Sequence, residues 1–153
     1  MNDTQFVRAF EAGAIAPGAF HHREHLRLAW TYLRESPSTA IACERMGSAI
    51  RAFASAAGHP AKYHETLTVF WVRLLAEVRD GAPDGADLQT VLEAHPYLLD
   101  KATPHAFYTH ELIMSDAARR TWCAPDLRAL DAVTLAKDGA HVAGEAHTAP
   151  PAR

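Results

Sequence analysis

Apolar residues recur at intervals of three and four through the longer segments of this chain, and in two of those segments histidine stands on the apolar face. A period of 3.6 commits a segment to helix, because side chains so spaced lie along one side of it. An imidazole on that side is carried into the fold. Leaving it unpaired there costs about 1–3 kcal/mol, so it must find a partner.

The punctuation sets the helices. The pattern predicts a first helix over 4–12, with Asp3 as N-cap, Gly13 as stop, and Phe6 and Phe10 facing inward. A second covers 21–35 and ends before Pro37; a third covers 38–58 and ends at Gly58. After Pro60 a fourth is expected over 61–79, and Asp87 caps a short fifth that runs to His95. Pro96 and Pro104 bracket a less regular stretch, and Ser115 starts a last short helix. No segment reads as a strand. The fold class expected is all-α, a bundle of about five to six helices in one domain over 1–137. The Ala-, Gly- and Pro-rich residues 138–153 read as a flexible tail, and His141 and His147 within it are discounted.

Turned at about 100° per residue, the second helix puts Leu26, Trp30, Leu33, Ala29 and Tyr32 around His22 and His25, with Arg23, Arg27, Arg34 and Glu24 opposite. Three apart, the two imidazoles are neighbours that can share one ligand. On the fourth helix, Leu67, Trp71, Leu75 and Val78 surround His64, while Thr66, Arg73 and Glu77 lie opposite. The third helix is the control. Its stripe of Cys43, Met46, Ile50, Phe53 and Ala57 carries no polar ring.

Neutral imidazoles are metal ligands, and His22, His25 and His64 meeting inside a bundle would hold a divalent transition metal. Zinc heads the choices, with iron, nickel and copper accepted by the same donors. Three protein ligands leave positions for water and substrate, as in catalytic sites. The expected function is therefore a metal-dependent enzyme acting on a small molecule, by hydrolase or lyase chemistry. The expected groups are a metal-activated water or Lewis-acid metal, Glu65 as general base or support, and Thr68 one turn beyond His64. Tyr108 and His110 come from the irregular stretch, which can fold over the bundle mouth. His21 starts its helix, His59 sits in an exposed turn, and His95 ends a helix. A redox centre of non-haem iron or copper is one variant, and a non-catalytic metal or cofactor carrier another. The third alternative is metal-free, its imidazoles paired with buried tyrosine and glutamate.

At these residues the chain resembles an uncharacterised family of short bacterial all-helical proteins. The shared pattern is F-x-H-x-x-H, Ala-Trp, Tyr-Leu, then Y-H-E-T, with Ala-Arg and Pro-Asp-Leu near the end. It stands here as Phe20-His21-His22-Arg23-Glu24-His25, Ala29-Trp30, Tyr32-Leu33, Tyr63-His64-Glu65-Thr66, Ala118-Arg119 and Pro125-Asp126-Leu127. The likeness spans most of residues 20–130. It implies a role for His22, His25 and His64, leaves His21 on a variable letter and His110 outside the pattern, and implies no particular reaction. Histidine–aspartate phosphohydrolases fit poorly, because His64-Glu65 replaces their His-Asp and no matching late aspartate follows.

Composition narrows the partners. A net charge of −3, with acids and bases interspersed among 153 residues, offers no basic stripe for nucleic acid. No apolar run is long enough for a membrane span. The opening residues lack a signal-peptide pattern, so a cytoplasmic setting is expected, with Cys43 and Cys123 as free thiols. The partner expected is a small-molecule substrate, and a homodimer is compatible with the composition.

Overall fold

The computed structural model describes residues 1–131. Seven α-helices and four short 3-10 turns account for the regular structure among them, and no strand occurs. The expected tail and the two histidines in it lie outside the described residues.

The first helix, α1 (Asp3–Glu11), starts one residue earlier than the sequence predicts. Asn2 is its N-cap: its Oδ1 accepts from Gln5 N, while Gln5 Oε1 accepts from Asn2 N. This reciprocal box satisfies two free amide donors, and it leaves Asp3 in the first turn. Asp3 there holds Arg27 at 2.8 Å and Arg34 at 3.3 Å, tying α1 to α2 (His22–Glu35). α3 (Thr39–Ala56) is capped by Ser38 and closes at Gly58, whose φ of +80° is costly for any residue with a Cβ.

α4 (Glu65–Asp80) departs from the sequence reading. Pro60 opens a 3-10 turn (Pro60–Lys62) instead of the helix itself, and Tyr63 and His64 follow in extended conformation. His64 is therefore the N-cap of α4 and does not lie along its face. Short helices finish the chain: α5 (Leu88–Ala94), α6 (His110–Ile113) and α7 (Asp116–Arg120).

The core is the antiparallel run α2, α3, α4, with α1 packed across α2 and α3. Leu26, Leu28, Ala29, Tyr32, Met46, Phe70, Val72, Leu74 and Leu75 are shut from solvent. Each large apolar side chain among them contributes about 1.5–3 kcal/mol. Phe70 is met edge-on by Trp71, Phe107 and Tyr108.

Residues 96–127 wrap the bundle. Thr66 Oγ1 donates to Thr121 O and accepts from Cys123 N. Tyr108 Oη donates to Cys123 O, Asp126 takes both the amide and hydroxyl of Thr109, and Leu127 N reaches Phe107 O. This corrects the reading of α4 as having a solvent face at Thr66, which is fully buried. The wrapping segment covers that side, and Arg73 lies over Trp122 at its edge.

Candidate functional site

Because α2, α3 and α4 alternate in direction, α2 and α4 begin at the same end of the bundle. Between their first turns and the last turns of α3 lies a cavity of about 560 Å³. His22, His25 and His64 all line it. So do Ile50, Phe53 and Ala57, the oily stripe of α3 that seemed to be plain core. Leu67 and Trp71 add apolar wall, and Lys101 and Pro104 enter from the wrapping segment.

His22 is the first residue of α2. Its Nε2 lies 2.8 Å from the Leu98 carbonyl oxygen, which only accepts, so Nε2 carries the proton and Nδ1 keeps its lone pair. Its ring meets Trp71 edge-on at 4.6 Å. Burial, with Lys101 adding to it, holds its pKa below the ordinary value.

His25, one turn along, lies 6.5 Å from His22 between ring centroids, and Phe20 packs 5.9 Å away. Its Nε2 is buried and makes no hydrogen bond among the described residues. Burial, reinforced by His22, pulls its pKa down to about 4, so the ring is neutral at pH 7. Buried polar atoms without partners are rare in native proteins, and each calls for a physical reason.

His64 is held at both nitrogens. Nδ1 accepts from Leu67 N at 3.1 Å, and Nε2 donates to the Ile113 carbonyl at 2.8 Å. Burial lowers its pKa as well. The three imidazoles thus share one cavity without converging on one point. Among the described residues no group of three or more His, Cys, Asp or Glu side chains is gathered closely enough for a metal ion.

The other expected residues scatter. Thr68 lines the cavity, with its hydroxyl donating to His64 O. Glu65 does not line it; its Oε1 accepts from the Tyr63 hydroxyl and from Arg51. Tyr108 is buried behind Phe70, bound to Cys123 O and away from the cavity. His21 is the exposed residue before α2, and His110 is exposed beside His105 at 6.3 Å.

Sequence reasoning missed His59, Lys62 and Lys101 at the cavity. All three come from loops and 3-10 turns, where periodicity gives no signal. Tyr63 lines it too, with its hydroxyl 3.1 Å from where a Cβ at Gly47 would stand. Glycine on α3 is what lets that phenol approach.

No family, curated protein or solved structure matches this chain.

Proposed function

We propose that the protein is a metal-dependent enzyme acting on a small molecule in the histidine-walled cavity, with His22 and His25 as its metal-binding pair. The observation that carries the reading is the His25 Nε2 atom, buried and neutral with no hydrogen-bond partner among the described residues. His22 complements it. The Leu98 carbonyl fixes the proton on Nε2 and orients the ring, the outer support that metal-binding histidines ordinarily have. A divalent metal bound there supplies Lewis acidity or an acidified water, in keeping with hydrolase or lyase chemistry. The apolar floor of Ile50, Phe53, Leu67 and Trp71 seats an organic body.

His64 joins as a third ligand only by releasing the Leu67 amide. Loss of such a cap costs about 1 kcal/mol, small against the gain from a metal bond. Without that release, His64 faces the substrate as a fixed polar wall. A metal-free carrier is the second reading, because both hydrogen bonds of His64 are already met by the protein. In it the lone nitrogen of His25 binds the ligand directly.

Titration of tag-free protein with Zn²⁺ or Co²⁺ separates the two. One equivalent is expected to bind, and His22→Ala and His25→Ala each abolish tight binding. His64→Ala shows whether the third ring joins. Failure of the wild-type protein to bind either ion overturns the metal reading and leaves the carrier.

A further inference from the structure

We propose that the occupant of this cavity is a small organic carboxylate with an apolar body, an inference that rests on the cavity being the substrate site. Its polar side chains are His22, His25, His59, His64, Lys62 and Lys101, with the uncharged Tyr63 and Thr68. No aspartate or glutamate is among its described lining residues. Every charge the wall can carry is positive, against an apolar floor.

The backbone adds to this. α2 and α4 both present their first turns to the cavity, and a helix N-terminus carries about half a positive charge. The opposing end of α3 is closed, its last carbonyls accepting from the amides of Ala57, Gly58 and His59. The carboxylates nearby stand outside the lining: Glu24 and Glu65 sit in the first turns of α2 and α4, and Asp100 acts on His22 from behind it. Glu24 takes the His21 amide, Glu65 takes Tyr63 and Arg51, and Asp100 accepts from Ala102. An anionic head between Lys62 and Lys101, with its body against Phe53 and Trp71, satisfies both the charge and the apolar wall.

The test uses three probes with the same phenyl-alkyl body, 4-phenylbutyrate, its isosteric amide and 4-phenylbutylamine, titrated into metal-free and zinc-loaded protein and followed by tryptophan fluorescence and calorimetry. The proposal expects the carboxylate to bind at least about tenfold more tightly than the amide, and the amine weakest, in the metal-free protein. Lys62→Gln with Lys101→Gln removes that preference, bringing carboxylate affinity down to that of the amide. Equal binding of carboxylate and amide, or preference for the amine, overturns the anion assignment and leaves the cavity as a ligand site. Binding of none of the three at about 10 mM overturns it as well. The metal-free arm makes the result independent of whether the metal reading holds.

Discussion

His25 Nε2 is a buried nitrogen without a partner among the described residues, one turn from an imidazole whose proton is pinned by Leu98. That pairing gives the metal-free protein a signature in acid. The His25 pKa is about 4 in the folded chain, against an ordinary 6.5. Below pH 6.5 the unfolded chain binds a proton here that the folded chain refuses, so stability falls as pH drops from 6.5 towards 4 and is untouched above. The contribution is up to about 3 kcal/mol. Urea unfolding at pH 7 and pH 4.5 measures it, and His25→Leu is expected to remove that part of the pH dependence. An unchanged dependence contradicts the assignment. Sequence reading reached His22 and His25 because a polar ring on an oily stripe is conspicuous, and His64 by a stripe it does not belong to, since it caps α4 from outside the helix. It misplaced Glu65 and Tyr108, whose partners Arg51 and Cys123 are distant in the chain or met only through wrapping.

Local rules located the helix starts where a short polar residue announced them, as at Ser38, Asp87 and Ser115. They failed at α4, because histidine is an uncommon cap and Pro60 can open either a helix or a 3-10 turn. The cap itself is testable. His64→Ala removes the acceptor for Leu67 N and the donor to Ile113 O, and is expected to cost about 1–2 kcal/mol in urea unfolding. His64→Asn restores the cap and recovers about half. Equal loss in both variants shows the cap to be unimportant. Thr66 tests the wrapping segment. Thr66→Val strands the Thr121 carbonyl and Cys123 amide, at an expected cost of about 1–3 kcal/mol. Faster amide exchange over residues 121–127, with α2 and α3 unchanged, is the pattern that checks it.

The all-helical class was legible from period and punctuation alone, since no segment alternates with period two. The enclosure was not. That α2 and α4 begin side by side follows from their alternation with α3, and residues 96–113 reach that end to hold two of its imidazoles through the Leu98 and Ile113 carbonyls. Pairwise faces cannot reveal which loop supplies those carbonyls, or that Lys101 comes with them. No described helix is long and apolar enough to cross a membrane. The molecule as described brings His22, His25, His59 and His64 to one hollow and leaves a buried nitrogen there without a partner among the described residues. The most direct measurement is long-range ¹H–¹⁵N imidazole NMR of the uniformly labelled protein before and after one equivalent of Zn²⁺. His25 Nε2 and His22 Nδ1 are predicted to shift together as metal-bound nitrogens, with the proton on His22 Nε2 retained. Both signals unmoved at saturating metal would contradict the assignment of these two rings as the metal pair.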